Sequence, residues 1–445
     1  MSESTPFLYR LLSLSGILFF LLCAWLLSVD RRNIAWRTIL WGVGLQFILA
    51  VIVLHPSTQA FFFSMVSDAV QKLLSFAEAG ATFVFSTMEA HEVTQVDLAT
   101  QTKTNKLYIG SVTPAFKNVA FWIIFPTIIF FSSLMSILYH LGIMQKIVHF
   151  IAVLMQKTMG TTGAESLSTA ANIFVGQTEA PLVIRPYVKD MHASELHAVM
   201  TAGFATVAGG VMAAYVGILS KGIPNIAGHL VAASIMSAPA SLAISKLMFP
   251  MPKNHKSSYQ LDLKGSQANT EENTSKNVIE AAARGAAEGM QLVWNVLAML
   301  VAFVGLMALL NAFLGLVTIG DTPLSLQLIL GWFFAPFAFF MGVPWEEAGT
   351  VGMLLGEKLV LTEFVAYLHL GELMASGSEI SQRSAIIASY ALCGFANFAS
   401  IGIQIGGIGG IAPERMSEIA SLGIRAMIGG TLAAFMTATI AGALL

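Results

Sequence analysis

Hydrophobic residues in this chain are gathered into long blocks free of Asp, Glu, Lys and Arg, and the polar residues collect in the intervals between them. A helix rising 1.5 Å per residue needs about 20 apolar residues to cross ~30 Å of hydrocarbon. Eight blocks approach or exceed that length, at residues 11–29, 38–54, 118–140, 198–220, 222–245, 289–316, 384–410 and 426–445. They predict eight transmembrane helices. Two further apolar stretches, 166–189 and 345–370, are interrupted by charge and by Gly or Pro and are too short to cross twice. They predict re-entrant hairpins, which persist at membrane depth only where protein or a water-filled cavity satisfies their backbone. Residues 324–341 fit either a span or an interfacial helix.

The intervals set the orientation. Arg31, Arg32 and Arg37 follow the first block and only Arg10 precedes it, which puts the N-terminus outside and this first loop in the cytoplasm. The first block is long for a signal peptide and no A-x-A site closes it, so it reads as a retained span. Eight crossings place the C-terminus outside as well. They make 251–288, with Lys253, Lys256, Lys264, Lys276 and Arg284, cytoplasmic in agreement with the same rule. Residues 257–277, rich in Ser, Asn, Gln and Lys, read as a flexible linker. Residues 55–117 fall outside, and an amphipathic stretch at 66–76 predicts an interfacial helix.

A pattern occurs twice, once in the second quarter of the chain and once in the last. The first hairpin carries Gly176-Gln177-Thr178-Glu179, followed by Gly203-Phe204-Ala205-Thr206-Val207-Ala208 in the next span. The second carries Leu361-Thr362-Glu363, followed by Gly394-Phe395-Ala396-Asn397-Phe398-Ala399. Three spans separate the two units, so the second is inverted relative to the first provided 324–341 does not cross, and that stretch is therefore read as interfacial. Inverted repeats with interrupted helices and hairpins meeting near the midplane are the construction of secondary transporters.

Composition sharpens this picture. Lys, Arg, Asp and Glu make up 11% of the chain, against roughly 25% in soluble proteins, and mean hydropathy is +0.74. A soluble globule is excluded. The formal net charge of -2 gives no reason to expect nucleic acid as a partner. Cys23 and Cys393 lie in separate apolar blocks and read as small apolar fillers, not as a disulfide framework.

Charge at membrane depth is costly, so Glu179 and Glu363 are the candidate chemistry: each should serve a ligand, a cation or a proton. The competing reading for Glu179 is an ion pair with Arg185, while for Glu363 no basic residue lies nearer in sequence than Lys358. Gly203, Gly209, Gly210, Gly394, Gly402 and Gly406 suit either an unwound span that exposes carbonyls or close helix packing. Asn397 and Ser400 offer donors and acceptors suited to hydroxyl groups, or to helix capping. Other signals fail. Gly352 to Leu359 resembles a phosphate loop but is one residue short and lacks its hydroxyl, and His192, Glu195 and His197 do not have zinc-helix spacing and read as a solvated face. No motif supports an enzyme.

At these residues the chain resembles the concentrative nucleoside transporter family. The resemblance rests on Gly176-Gln177-Thr178-Glu179-Ala180-Pro181-Leu182, on Glu363-Phe364-Val365-Ala366-Tyr367, on Tyr390-Ala391-Leu392-Cys393-Gly394-Phe395-Ala396-Asn397-Phe398, and on Ala281-Ala282-Ala283-Arg284-Gly285-Ala286, and it covers most of the chain. It implies an all-α integral membrane protein of the inner membrane, an elevator-type homotrimer with eight transmembrane helices and two opposed hairpins. The organisation implied is 1–117 as an N-terminal scaffold part and 118–250 as the first repeat with hairpin 1 and an unwound helix. Then follow 251–288 as a cytoplasmic linker, 289–320 as a long scaffold helix, and 321–445 as the second repeat.

The activity implied is cation-coupled import of nucleosides such as uridine, cytidine or adenosine, with no organic cofactor. Carried over residue by residue, Gln177, Thr178 and Glu179 face the nucleobase, Val211 makes an apolar contact to it, and Phe395 lines the pocket. Glu363, Asn397 and Ser400 bind the ribose hydroxyls. The sodium position falls on Asn172, Val175, Thr206 and Val207. Thr206 stands where serine is expected and Thr362 where Asn usually precedes the hairpin glutamate, so a proton remains open beside sodium as the coupling ion. Two other readings are weighed. A symporter for a different polar solute, such as a dicarboxylate, should want a fixed cation at the midplane, and neither Thr-Glu unit has one beyond Arg185 at the hairpin rim. A passive channel is disfavoured by two hairpins that suit gates on both sides.

Overall fold

The computed structural model describes residues 7–96, 103–114, 125–252, 275–320, 322–377 and 380–445. The first two blocks form α1 (Phe7–Leu26) and α2 (Trp36–Leu54), and α3 (Pro56–Phe85) takes in the amphipathic stretch as part of one 30-residue helix. The chain then departs from the all-helical expectation. β1 (Ser86–Val96) and β2 (Lys103–Pro114) pair antiparallel, with Ser86 opposite Pro114 and Val96 opposite Lys103. Val93, Thr94, Val96, Thr104, Tyr108, Ile109, Val112 and Thr113 favour strands, a local preference that a search for long apolar blocks passes over.

Of the third block the described part is α4 (Phe125–His140); its residues 118–124 lie outside the described residues, as does 257–274 of the expected linker. Gly142, at φ 75°, turns the chain by 79° into α5 (Ile143–Met159). That helix was not expected, because Lys146, His149 and Lys157 break its hydropathy. It buries Met144, Val148, Ala152, Met155 and Met159, at spacings of three and four residues that place them on one face.

Hairpin 1 comprises α6 (Gly163–Asn172), a turn, a 3₁₀ segment at Ala180–Ile184 and α7 (Arg185–Val188). The next span is broken into α8 (Ala193–Ala205) and α9 (Gly209–Leu219), and α10 (Ile226–Met248) follows, almost wholly buried. α11 (Val278–Leu314) begins well before the expected 289. Asn277 caps it by accepting from Glu280 N at 2.8 Å, and the alanines at 281–283 extend it through Arg284 and Glu288, charges that ended the apolar block but do not end a helix. Beyond the short strands β3 (Thr318–Ile319) and β4 (Thr322–Pro323) lies α12 (Leu326–Phe340). Hairpin 2 is α13 (Trp345–Val360) with α14 (Glu363–Ser376), the second broken span is α15 (Gln382–Leu392) with α16 (Phe398–Ile411), and α17 (Met416–Leu444) closes the chain.

The order α4, α5, hairpin 1, broken span, α10 thus recurs as α11, α12, hairpin 2, broken span, α17. α12 and α13 are bent by 118° where the chain enters hairpin 2. Among the described residues, six helices are long and apolar enough to cross a bilayer, or up to eight when each bent pair is taken as one span. The first helices of the two repeats cross closely. A Cβ at Gly285 would lie 2.6 Å from the Ser132 carbonyl oxygen of α4, one at Gly289 would lie 2.8 Å from Ile129 Cα, and Ser133 Oγ donates to Ala282 O at 2.9 Å.

The two breaks fall at 206–208 and 393–397, and they touch. Phe395 N donates to Thr206 O at 3.3 Å, and Gly394, at φ 154°, fits where a Cβ would stand 2.7 Å from Phe204 O. Gly209 and Gly210 open α9 at its break, and Gly209 N finds a partner in Phe174 O of hairpin 1 at 3.1 Å. Gly402 and Gly406, by contrast, sit inside α16 with open space beside them, so neither expected role is realised there within the described chain.

Hairpin 1 is fixed to the bundle by a buried ion pair. Glu165, in the first turn of α6, accepts from Thr162 N at 2.7 Å and pairs with Lys246 Nζ of α10 at 2.6 Å; Lys246 also reaches Ser194 Oγ at 3.1 Å. Removing one partner strands a charge in a low-dielectric interior. Lys246→Met is therefore expected to cost about 3–5 kcal/mol, read as a lowered thermal midpoint in detergent, while Glu165→Leu/Lys246→Met together should recover most of it.

Candidate functional site

Glu363 opens α14, where the orphan N–H groups and the dipole of a helix N-terminus favour a carboxylate. Thr362 is the N-cap, its hydroxyl facing Val365 N. The carboxylate is 5% exposed, and both of its oxygens are engaged: Tyr215 Oη donates to Oε1 at 2.8 Å and Asn397 Nδ2 to Oε2 at 3.0 Å. Asn397 is itself the N-cap of α16, its Oδ1 accepting from Ser400 N at 2.8 Å. Its amide is thus held at both ends, with the nitrogen forced toward Glu363. Tyr215 stacks on Tyr367 at 4.3 Å, and Tyr367 Oη donates to Ser389 O at 2.7 Å, so the donor that holds Glu363 is itself held. Charge-assisted hydrogen bonds of this kind are about twice as strong as neutral ones.

Lys358 does not pair with this glutamate. Its Nζ, buried at the end of α13, donates to Ala391 O at 2.9 Å, just before the break between α15 and α16.

Asn397, Ser400, Gln404 and Gly407 recur at three- and four-residue spacings and so share one face of α16. The face begins at hairpin 2 and ends at hairpin 1, because Gln404 Nε2 donates to Gln177 Oε1 at 3.0 Å, and a Cβ at Gly407 would stand 2.8 Å from Thr178 Cγ2. Asn397 and Gln404 are about 10 Å apart along the axis. The two hairpins are therefore joined by one polar stripe. Gln177 is buried, Thr178 half-buried, and Glu179 exposed, its carboxylate folded back over Gly176 where a Cβ would collide with it. Val211 is buried in α9, which packs on α4, and Phe395 lies half-buried in the second break.

At the other end of the first break, Asn172 Nδ2 donates to Ala202 O at 2.6 Å and contacts Thr206 Oγ1, while its Oδ1 is buried without a hydrogen-bond partner. Thr206 Oγ1 donates to Ala202 O at 3.0 Å. Among the described residues no backbone N–H reaches the carbonyls of Val175 or Val207. An orphaned amide oxygen, a hydroxyl and two loop carbonyls are hard, neutral oxygen donors, a set suited to an alkali cation. No group of three or more His, Cys, Asp or Glu occurs among the described residues.

One expectation is revised. His192, Glu195 and His197 are not a solvated face: Glu195 accepts from His192 N at 2.8 Å as an N-terminal cap of α8, and His197 is fully buried with its Nδ1 2.7 Å from Ser245 Oγ. Tyr215 and Gln404 were missed, although each is the lone polar side chain within an otherwise apolar run, 207–219 and 401–411.

Three family profiles match: "Na+ dependent nucleoside transporter C-terminus" over residues 229–442, its N-terminal counterpart over 15–88, and "Gate: Nucleoside recognition" over 121–222. An uncharacterized transporter of Haemophilus influenzae is 43% identical over 97% of this chain and 96% of its own length. Sodium/nucleoside cotransporter 1 of Rattus norvegicus is 41% identical over 98% of this chain and 64% of its own. Solute carrier family 28 member 3 of Eptatretus stoutii is 41% identical over 96% of this chain and 60% of its own, so the chain spans about 60% of the length of such relatives. The structure of CNTnw in an inward-facing substrate-bound state superposes with a TM-score of 0.83 at 38% identity, covering 98% of each chain, and a variant of CNTnw in an outward-facing state gives 0.84, covering 99% and 98%. With these relatives and this fold, the chain belongs to the Na+-dependent, concentrative nucleoside transporter family.

Proposed function

We propose that the protein is a secondary active symporter that imports nucleosides down a sodium gradient, by alternating access of an elevator kind. The observation that carries this reading is Glu363, buried at a helix N-terminus between Tyr215 and Asn397 and facing the start of a stripe that runs to Gln177. Each carboxylate oxygen keeps a lone pair beyond the bond it already accepts, so Glu363 can accept from two adjacent hydroxyls while Asn397 and Ser400 complete a ribose-binding end. Gln177, Thr178 and Glu179 form the nucleobase end, with Val211 and Phe395 as its apolar walls. The family's sodium dependence and the relatives named as sodium/nucleoside cotransporters support sodium as the coupling ion over a proton, and Asn172, Val175, Thr206 and Val207 are its assigned ligands.

Residues 1–117 and the long helix α11 act as scaffold, and the two repeats carry hairpins and broken spans as the moving body. α11 leaves Trp294, Val301, Val304 and Leu309 exposed, an apolar surface for lipid and for neighbouring copies in a homotrimer. The arginines at 31, 32 and 37 support an inner-membrane orientation with both termini outside.

Uptake of radiolabelled uridine into proteoliposomes tests the whole reading. Accumulation should follow an inward sodium gradient, and its absence for every nucleoside tried would sink the proposal. Glu363→Gln should abolish uridine accumulation, and wild-type transport by that variant would remove the ribose role. Tyr215→Phe deletes a hydrogen bond to a charged group, typically about 1.5–3 kcal/mol, and should raise the uridine KM by roughly tenfold or more. Asn172→Leu should raise the half-activating sodium concentration by roughly tenfold at saturating uridine; an unchanged sodium curve would remove Asn172 from the ion site.

A further inference from the structure

Gln404 lies in the α16 stripe at its hairpin 1 end, fully buried, and its amide makes two donations with one nitrogen: Nε2 to Met200 O at 3.1 Å and Nε2 to Gln177 Oε1 at 3.0 Å. The first of these settles the second. A backbone carbonyl accepts and cannot exchange its polarity, whereas a side-chain amide can be turned over. The atom of Gln404 that faces Met200 O must therefore be the NH₂ group. Its remaining hydrogen points at Gln177, so the atom of Gln177 there must be the oxygen. The NH₂ of Gln177 is left to face the other way, and Gln404 Oε1 is buried without a hydrogen-bond partner among the described residues.

Space for this bridge is provided by Gly203, the first letter of the repeated G-F-A motif. A Cβ there would stand 2.6 Å from Gln404 Nε2 and 3.1 Å from Gln177 Cβ. In the second repeat the equivalent glycine serves the contact between the breaks instead, so the first-repeat glycine has its own task.

We infer that Gln404 is a positioning residue for base recognition: by locking the Gln177 amide it makes the pocket present a hydrogen-bond donor, and never an acceptor, at that point. This rests on the reading of Gln177 as a base contact. Uracil and cytosine carry opposite patterns along the edge formed by ring position 3 and the 4-substituent: N–H then C=O in uridine, N then NH₂ in cytidine. A donor fixed opposite one of these two positions tells them apart, and a freely rotating amide there serves both.

The test is the ratio of the KM values for uridine and cytidine, measured by uptake into proteoliposomes for the full chain and three variants. The wild-type ratio should differ from one by about fivefold or more. Gln404→Leu frees Gln177 and should bring the ratio to within about twofold of one. Gln404→Glu keeps the shape but donates nothing, so Gln177 turns its NH₂ toward the carboxylate and its oxygen to the pocket, and the preference should invert; this near-isosteric variant decides the matter if the leucine variant fails to assemble. In a Gln177→Leu background, neither Gln404 substitution should move the ratio further. If Gln177→Leu alone leaves the wild-type ratio intact, the base-contact reading fails. A ratio that responds to Gln177→Leu but to neither Gln404 variant, or a wild-type ratio within twofold of one, overturns the inference about Gln404.

Discussion

A carboxylate inside a bilayer must have every partner supplied by the protein, and the arrangement around Glu363 follows from that demand. Its two donors come from elements distant in sequence: Tyr215 from the second half of the first broken span, and Asn397 from the start of the second half of the other. Glu363 itself stands on hairpin 2. One buried charge thus requires hairpin and both broken spans to be in register, and the aromatic stack of Tyr215 on Tyr367 and the bond from Tyr367 to Ser389 O extend that requirement to α15. The site and the fold share the same hydrogen bonds.

The same economy governs the backbone. Breaking a helix at membrane depth leaves N–H and C=O groups that neither lipid nor the helix can satisfy. Here each break is used by another element. Phe395 N–H at the second break takes Thr206 O at the first, Gly209 N–H takes Phe174 O from hairpin 1, and Lys358 Nζ takes Ala391 O at the end of α15. Asn172 Oδ1, beside the first break, is left buried without a hydrogen-bond partner.

Between the hairpins, α16 acts as a ruler. Asn397 and Ser400 define one end and Gln404 and Gly407 the other, roughly 10–15 Å away at 1.5 Å per residue. A ligand with a hydroxyl-bearing end and a planar, hydrogen-bonding end matches a stripe whose chemistry changes along its length. Because the stripe is a rigid helix face and its side chains are tied to backbone carbonyls and amides, recognition would be pre-organised in advance of binding.

The sequence by itself determined the membrane setting, six of the long spans, both hairpins and the inverted pairing of Thr178-Glu179 with Thr362-Glu363, because hydropathy blocks and local motifs are written in consecutive residues. It also singled out Glu363, since a charge in an apolar run is conspicuous wherever the chain goes. It did not foretell α5 or the early start of α11, where charges sit on one face of a helix and interrupt a block without interrupting the structure, nor the strand pair at 86–114, whose signal is local propensity rather than hydropathy. Which polar groups meet was a matter for tertiary structure alone. Tyr215 lies 148 residues from Glu363, and Gln404 lies 227 from Gln177. A hydrogen bond depends on atoms a few ångströms apart, and only the folding of the two repeats onto each other brings such atoms together.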